Sequence, residues 1–247
     1  MKNELAKLKK CVSRKFNENP VYKKYQEAQE LVAKHTPSDY FKVYREHEVG
    51  YSREILKWIF TDHFNGGKVL DIGTAYGTFS VFAKQTLGMD VYAIDFVDNY
   101  APKDLFSKMG INFQITNIET EDLPFNEKFD MIVLTEVLEH FNFNPIPTFI
   151  KIKNALAKNG VLYISTPNAK FWGRLNTYEK LSDIPCVNLK TPIQDQHNWH
   201  YNVAELISVI NDAGLSIVDF DYAWDIPSEK SRRHFNLKIM RKEDVII

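Results

Sequence analysis

Short apolar runs alternate with helix-length segments from residue 68 onward, and this alternation restricts the folds that the chain can adopt. Seven apolar runs predict strands, at residues 68–72, 91–94, 112–116, 129–134, 160–165, 215–220 and 236–240. Four of the segments between them predict helices, at residues 78–87, 101–109, 145–157 and 203–213. Because strands that alternate with helices need crossover connections, we expect a doubly wound α/β fold with a mostly parallel seven-stranded sheet.

The first 50 residues differ in composition from the rest of the chain. They are rich in Lys, Glu, Gln and Tyr, and they contain no strand pattern. Helical periodicity is interrupted at Pro20 and Pro37. We therefore predict a helical extension over residues 1–50, followed by one domain over residues 51–247. The basic start, residues 2–15, is expected to be a solvated helix.

Charge, hydropathy and cysteine usage exclude several classes of protein. The formal net charge of the 247 residues is −1, so there is no basic field of the kind that attracts nucleic acid. No stretch approaches the roughly 20 apolar residues of a membrane span, and the basic start lacks the apolar run of a signal peptide. The two cysteines, Cys11 and Cys186, are far apart in the sequence and form no metal-binding or redox motif. This cysteine usage fits a reducing compartment. We expect a cytoplasmic protein with no membrane span and no nucleic-acid partner.

The first predicted strand ends in Asp71 and leads into a glycine-containing turn, VLDIGTAYGTF at residues 69–79. Gly73 and Gly77 permit a tight turn and a close approach of backbone to ligand. Ala75 stands where the dinucleotide fingerprint G-x-G-x-x-G would have its second glycine. An acid beside the turn also suits a cationic amino acid better than a pyrophosphate, so the pattern disfavours a nicotinamide dinucleotide.

Acidic residues also stand at or shortly after the ends of the next predicted strands. Asp95 ends the second strand, where a carboxylate can accept hydrogen bonds from both hydroxyls of a ribose. Glu119 follows the third strand, at a place suited to the amino group of adenine. Ligands of such sheets bind beyond the carboxyl ends of the strands. The pattern therefore predicts a nucleoside site at this edge.

The sequence here resembles class I S-adenosylmethionine-dependent methyltransferases, particularly the small-molecule group of quinone-pathway and sugar-modifying enzymes. The resemblance covers roughly residues 66–222. It depends on six segments in the family's order and spacing: VLDIGTAYG, YAID, EDLPF, FDMIVLTEVLEH, LAKNGVLYISTPN and AGLSIVDFD. It implies the Rossmann-like methyltransferase fold. In this family an N-terminal extension often closes over the cofactor, with Tyr40, Tyr44, Arg45 and His47 as the candidate contacts here.

The resemblance implies S-adenosylmethionine as the cofactor and assigns ten contact residues to it. They are Asp71, Gly73, Tyr76, Gly77, Asp95, Phe96, Glu119, Thr120, Thr135 and Glu136. The glycine turn would hold the methionine part, with Asp71 organising the turn, and Asp95 would hold the ribose. Glu119 and the backbone of Thr120 would face adenine. Thr135 and Glu136 would lie beside the sulfonium. Where many relatives have a further small residue, this chain has Ala75-Tyr76, so either Tyr76 covers the cofactor or the turn is remodelled.

The densest polar and aromatic cluster is DQHNWHYN at residues 195–202. In the resembled group, a histidine at a comparable place often lies near the acceptor; His197 and Tyr201 match it best, with His200 as a rival. A histidine suits removal of a hydroxyl proton, and our hypothesis is that His197 or His200 is this base, with His140 as a further candidate. Alternatively, Asn202 caps the helix at 203–213 and the histidines are structural. No third ligand has convincing metal spacing, so we expect no metal.

The segment 167–202 is long and aperiodic, as functional loops often are, and it is the predicted acceptor site. Its candidate contacts are Trp172, Arg174, Tyr178, Lys190, Trp199 and Tyr201. Aromatic and polar groups together suit a sugar, and Arg174 or Lys190 suits a phosphate. The favoured acceptor is therefore a sugar or nucleotide-linked sugar, with O-methylation as the reaction. The alternative acceptor is a quinone precursor or another small metabolite.

Three rival functions differ in class from this one. A nucleic-acid methyltransferase is disfavoured by the near-zero charge and by EVLE at residues 136–139, where a base-flipping motif would stand. A catalytically inactive methyl-donor-binding subunit has the same motifs, and only turnover distinguishes it. A nicotinamide-dependent dehydrogenase is disfavoured by the turn. The sequence leaves the oligomeric state open, with a homodimer as one expectation.

Overall fold

The computed structural model describes residues 20–36, 39–188, 190–223 and 232–245. The predicted basic helix at residues 2–15, together with Cys11, lies outside the described residues. The described part of the chain begins with three helices: α1 (Pro20–His35), α2 (Asp39–Tyr51) and α3 (Arg53–Thr61). Within the described ranges, every helix is too short or too polar to cross a bilayer.

A seven-stranded sheet forms the centre of the domain. Its strands are β1 (Lys68–Ile72), β2 (Asp90–Asp95), β3 (Asn112–Ile115), β4 (Phe129–Thr135), β5 (Leu156–Pro167), β6 (Leu215–Ala223) and β7 (His234–Arg241). The spatial order is β3-β2-β1-β4-β5-β7-β6. The first five strands in this order are parallel, and β7 runs antiparallel to both β5 and β6. The predicted doubly wound, mostly parallel seven-stranded fold is confirmed.

Helices cover both faces of the sheet. They are α4 (Thr78–Leu87), α5 (Lys103–Met109), α6 (Pro145–Ala155), the short α7 (Ala169–Trp172) and α8 (Val203–Asp212), with 3₁₀ turns at Leu138–His140, Leu181–Asp183 and Lys242–Asp244. One apolar layer joins α1–α5 to one face, and a second joins α6 and α8 to the other. The strand order reverses between β1 and β4, so a crevice opens at their carboxyl ends.

Several boundaries differ from the sequence prediction, among them the start of β5, which lies at Leu156 and not at residue 160. Helix α6 ends at Ala155, two residues before the predicted end, because Leu156 already pairs with Phe129 of β4. The predicted aperiodic segment 167–202 begins with the last residue of β5 and contains α7 and a 3₁₀ turn. Both features depend on pairing with distant residues, which hydrophobic periodicity does not record.

The N-terminal helices are fixed to the domain by buried polar contacts. Asn236 of β7 is fully buried; its Oδ1 accepts from the backbone N of Glu54 (3.1 Å), and its Nδ2 donates to the carbonyl of Tyr51 (2.6 Å). Between α1 and α2, Gln29 Nε2 donates to Glu48 Oε2 (2.9 Å) and to the carbonyl of Arg45 (2.6 Å). These bonds hold α2 beside the carboxyl edge of the sheet.

Candidate active site

A cavity of about 580 Å³ opens at the carboxyl ends of β1, β2 and β4, beneath α2. Ten of the predicted site residues line it: Gly73, Tyr76, Asp95, Phe96, Glu119, Thr135, Glu136, His140, Trp172 and His197. Eight lie outside its lining: Asp71, Gly77, Thr120, Arg174, Tyr178, Trp199, His200 and Tyr201. The cavity has the size of a small-molecule site.

Asp71 shapes the turn after β1 and does not line the cavity. Its side chain is 3% exposed, and its Oδ2 accepts from Thr74 Oγ1 (2.8 Å) and Ser80 Oγ (2.6 Å). Burial raises the pKa of Asp71 to about 6, while these two hydroxyls oppose the shift. Asp71 thus joins the end of β1, the turn and the start of α4.

Gly73 and Gly77 have backbone conformations that L side chains rarely adopt, with φ values of +73° and +74°. A Cβ added to Gly73 would lie 2.3 Å from Val137 Cγ2, and one on Gly77 would lie 2.3 Å from Phe106 Cζ. The turn therefore requires glycine at both positions, because the backbone conformation disfavours other residues and because there is no space for a Cβ atom.

Gly73→Ala is expected to weaken binding of S-adenosylhomocysteine at least about tenfold, because the overpacked contact with Val137 moves the turn away from the cavity. Gly88→Ala is the matched control, because Gly88 also has a positive φ (+62°) but has nothing within 4 Å of an added Cβ. Both variants should lose roughly 1–2 kcal/mol of stability to backbone strain. Calorimetric titration of the two proteins is the measurement, and equal affinities would contradict the steric argument.

Asp95 lies at the end of β2 with its carboxylate directed into the cavity. It is 8% exposed; Oδ2 accepts from Ala75 N (2.9 Å), and Oδ1 accepts from Val97 N (3.2 Å). Burial raises its pKa, and the backbone N–H donors oppose that shift. Each oxygen retains a lone pair for a further donor, which is what two vicinal hydroxyls require.

Glu119 lines the cavity, but its carboxylate is already used within the protein. Oε2 accepts from Asn142 N (3.0 Å) and Oε1 accepts from Phe143 N (2.9 Å). Burial raises its pKa. Thr120, whose backbone was predicted to face adenine together with Glu119, is exposed and lies outside the lining. Glu119 therefore fixes the segment after the 3₁₀ turn, while Ile118 supplies an apolar surface to the same cavity.

Helix α2 contributes a wall of tyrosines to the cavity. Tyr44 packs on Tyr76 of the turn, with ring centroids 5.3 Å apart, and its hydroxyl lies 3.0 Å from that of Tyr51. Tyr76 also contacts Tyr100, at 5.2 Å. Of the four residues expected on the extension, Tyr40, Tyr44 and His47 line the cavity and Arg45 does not.

Glu48 is buried behind this wall. Burial raises its pKa from 4.5 to about 7, although the hydrogen bond from Gln29 opposes the shift. The folded protein thus binds this proton more tightly than the unfolded chain does. The corresponding stabilisation is complete below about pH 4.5 and is lost as the pH rises through about 7.

Glu48→Gln is expected to raise the free energy of unfolding at pH 8 by about 1–3 kcal/mol relative to wild type, with a smaller difference at pH 5. A neutral amide avoids the cost of burying the carboxylate. Urea denaturation at the two pH values measures this difference, and Glu46→Gln on the exposed side of α2 is the control. Parallel pH dependence in wild type and Glu48→Gln would disprove this role.

An acidic and imidazole cluster occupies the end of the cavity beyond β4. Glu136 has a left-handed backbone (φ +52°) that turns its side chain beside β5, where Oε1 accepts from Ser165 Oγ (2.8 Å). Its Oε2 lies 2.9 Å from Nδ1 of His234, on β7. His234 also lines the cavity. This carboxylate–imidazole pair joins the segment just after β4 to β7, which is not adjacent to β4 in the sheet.

Glu139 and His140 lie in the 3₁₀ turn after β4. Glu139 is fully buried, and its Oε2 accepts from Thr166 Oγ1 (3.0 Å). Burial, together with the charge of Glu136, raises its pKa well above the usual value. His140 Nδ1 lies 3.2 Å from Asp195 Oδ1, and burial lowers the pKa of this imidazole.

Three of these groups have the chemistry of a metal-ligand set. Glu139, His140 and His197 each present one potential ligand atom, and the three atoms lie within 4.8 Å of one another. Histidine and carboxylate ligands of this kind suit a divalent transition metal. Spacing along the sequence predicted no such set, because His197 comes from a distant loop.

His197 and His200 have different positions relative to the cavity. His197 lines it, whereas His200 is buried behind it, with its Nε2 2.9 Å from Nδ1 of His197. Burial is the main cause that lowers the pKa of both imidazoles, and the pKa of His197 falls to about 4. Both rings are therefore neutral near pH 7, and His197 is the one placed to meet an acceptor.

Four predicted acceptor contacts have structural roles instead. Arg174 makes two hydrogen bonds to Glu205 (2.8 and 2.9 Å) and stacks over Trp199 at 4.5 Å, so it is engaged with protein groups. Trp199 is 2% exposed and Tyr201 is fully buried. Tyr178 packs against the apolar layer of α6 and α8. The sequence of this loop resembles a ligand site because aromatic and charged side chains occur both in ligand contacts and in the buried contacts that hold a loop to its domain.

Sequence reasoning missed several residues that line the cavity. Tyr51 and Tyr100 are two of them, and His234 is the most important for chemistry. His234 starts a β-strand whose pattern gave no functional signal. Its position opposite Glu136 depends on the antiparallel return of β7 beside β5, which the sequence pattern did not specify.

The turn shaped by Asp71 and the carboxylate of Asp95 lie at one end of the cavity, and imidazoles lie at the other. An apolar slot joins the two ends, so the donor set fits a nucleoside with an amino-acid tail next to an acceptor. This is the arrangement that an S-adenosylmethionine-dependent methyltransferase requires. The chain belongs to the methyltransferase domain family, whose model matches residues 44–219.

Two curated relatives are ubiquinone biosynthesis O-methyltransferases. The mitochondrial protein of Candida albicans is 30% identical over 111 residues, covering 42% of this chain and 33% of that protein. The protein of Glaesserella parasuis is 34% identical over 116 residues, covering 44% of this chain and 48% of its own length. The chain thus spans between a third and about half of the length of these relatives.

Solved structures share the fold at low sequence identity. The 1,6-didemethyltoxoflavin-N1-methyltransferase of Burkholderia thailandensis, solved with S-adenosylhomocysteine bound, superposes with a TM-score of 0.58 at 17% identity. The match covers 90% of this chain and 88% of that protein. This likeness supports the architecture, and the family match over residues 44–219 confirms the resemblance drawn from the sequence.

Proposed function

We propose that this protein transfers a methyl group from S-adenosylmethionine to a hydroxyl of a small aromatic molecule, of the kind represented by quinone precursors. The observation that carries this proposal is the aromatic lining around His234, to which Tyr51 and Trp172 contribute, with ring centroids 6.2 and 5.8 Å from that of His234. Planar rings pack well on such surfaces. The similarity to ubiquinone biosynthesis O-methyltransferases supports the same class of acceptor.

A sugar acceptor has less support. The expectation depended on polar and aromatic side chains of residues 167–202, and most of them lie outside the cavity. Arg174, the candidate phosphate ligand, is paired with Glu205. Lys190 is also absent from the lining. The acids and imidazoles around His197 suit proton removal, and Arg233, which also lines the cavity, has its guanidinium 4.7 Å from the ring centroid of Phe171.

The bound cofactor supplies a methyl group already activated on a sulfonium, so the protein must orient the acceptor and exclude water. The tyrosine wall of α2 lines the cavity and would shield a bound cofactor and acceptor from water. We assign the proton transfer to His197. Its neutral imidazole would take the proton of the acceptor hydroxyl, while S-adenosylmethionine would supply the methyl group to that oxygen and leave as the neutral thioether.

The experiment is a methyl-transfer assay with S-adenosylmethionine and three acceptor sets: dihydroxylated aromatics, monosaccharides and nucleotide sugars. Methylation of the aromatics alone is the expected result, and transfer to sugars alone would overturn the acceptor assignment. Asp95→Asn serves as the inactive control. Binding of the cofactor without turnover on any set would instead favour a non-catalytic binding subunit.

A further inference from the structure

His200 lies outside the cavity, yet it contacts the one loop histidine that lines it. Its Nε2 is 2.9 Å from Nδ1 of His197, and its own Nδ1 is 3.0 Å from the carbonyl oxygen of Gly173. The two imidazoles and the carbonyl thus form a continuous chain of hydrogen bonds. The chain begins at the cavity and ends in the backbone just after α7.

The chemistry of the three groups determines where the protons lie. A carbonyl oxygen only accepts, so Nδ1 of His200 must donate to Gly173. A neutral imidazole has one N–H, so each ring of the pair donates at one nitrogen and accepts at the other. Nε2 of His200 is therefore an acceptor, and Nδ1 of His197 must donate to it. The remaining nitrogen of His197, Nε2, is left without a proton.

Backbone contacts on both sides of this pair keep its geometry fixed. The carbonyl of His200 accepts from Arg174 Nη1 (2.6 Å). The backbone N of Asn198 donates to the carbonyl of Glu139 (2.7 Å), which ties the loop to the 3₁₀ turn after β4. Tyr201, the next residue, forms a bridge with Asn168. The segment 197–201 is thus attached at several points.

We propose that His200 is a positioning residue, which fixes His197 in the tautomer that presents an unprotonated Nε2 to the acceptor. The geometric part of this inference is independent of the reaction, whereas its catalytic consequence rests on the proposed function. An imidazole without such a partner exchanges between two tautomers, and only one of them can take a proton through Nε2. His200 also stabilises the imidazolium that forms when His197 takes a proton, because Nδ1–H of His197 remains hydrogen-bonded to it.

Two substitutions separate positioning from simple packing. His200→Gln retains both bonds, because the amide oxygen can accept from His197 and the amide nitrogen can donate to Gly173. His200→Leu fills a similar volume and retains neither bond. We expect the leucine variant to lose about 10–100-fold in kcat, as is typical when a group that orients a reactive histidine is removed. The glutamine variant should stay within about threefold of wild type, by analogy with outer-shell partners.

Tautomers are read directly by long-range ¹H–¹⁵N correlation spectra of ¹⁵N-histidine-labelled protein. Wild type and His200→Gln should show His197 protonated at Nδ1 alone, whereas His200→Leu should show a mixture. Affinity for S-adenosylhomocysteine should be the same in all three proteins, because His200 does not line the cavity.

A wild-type spectrum with the proton on Nε2 would overturn the proposal, as would an unchanged tautomer in His200→Leu. Equal losses of kcat in the glutamine and leucine variants would also overturn it, because they would indicate packing alone. If the wild type methylates no hydroxyl, the proposed function fails, but the spectra still decide the role of His200.

Discussion

Asp95→Asn is expected to weaken the binding of S-adenosylhomocysteine about 10²–10³-fold. The substitution keeps the size of the side chain but removes a charge that can accept from both ribose hydroxyls. Hydrogen bonds to a charged group contribute about 1.5–3 kcal/mol each, and an uncharged amide forms weaker ones while placing a donor where an acceptor is needed. The backbone bond from Ala75 N to this side chain would also weaken.

The matched control is Asp90→Asn, at the opposite end of the same strand. Asp90 is exposed, and its carboxylate lies 3.7 Å from Lys84, far from the ligand edge of β2. Isothermal titration calorimetry of both variants measures the affinity, and urea denaturation verifies that both are folded. Retention of wild-type affinity by Asp95→Asn would remove the ribose assignment, and loss of affinity in Asp90→Asn would indicate a general effect of charge.

His197→Gln is expected to lower kcat about 10²–10⁴-fold while leaving the affinity for S-adenosylhomocysteine unchanged. General-base catalysis contributes that range of rate, and an amide cannot take the proton of a hydroxyl. The separation of the two effects follows from the position of His197, which lines the cavity beside His140, with ring centroids 4.7 Å apart, and not in the glycine turn.

His35→Gln is the control for this change, because His35 is exposed on α1 and its Nδ1 lies near the carbonyl of Leu31. Initial rates at saturating cofactor give kcat, and calorimetry gives the affinity. The assays are run with and without a chelator, because His197 also belongs to the potential metal-ligand set. Unchanged turnover of His197→Gln in both conditions would transfer the base role to His140 or His234.

The sequence was sufficient to predict the fold and the cofactor turn. Strand β1 is buried on both faces, and its sequence is therefore an apolar run. The turn that follows is formed by residues that are close together in the sequence. Asp71, Thr74 and Ser80 bond one another within ten residues, and Gly73 needs its backbone conformation wherever the turn occurs. Such local relations leave a pattern that can be recognised without tertiary structure.

Tertiary structure alone determines which side chains line the acceptor end of the cavity. Trp199 and Arg174 have the residue types of a sugar site, but their surroundings bury one and pair the other with Glu205. His234 reaches the site because β7 returns antiparallel beside β5, and Tyr51 because Asn236 holds the end of α2. The sequence by itself determined the elements and the turn, since these depend on adjacent residues. Only the folded chain determined which side chains face the acceptor, because that depends on contacts between residues up to 185 positions apart.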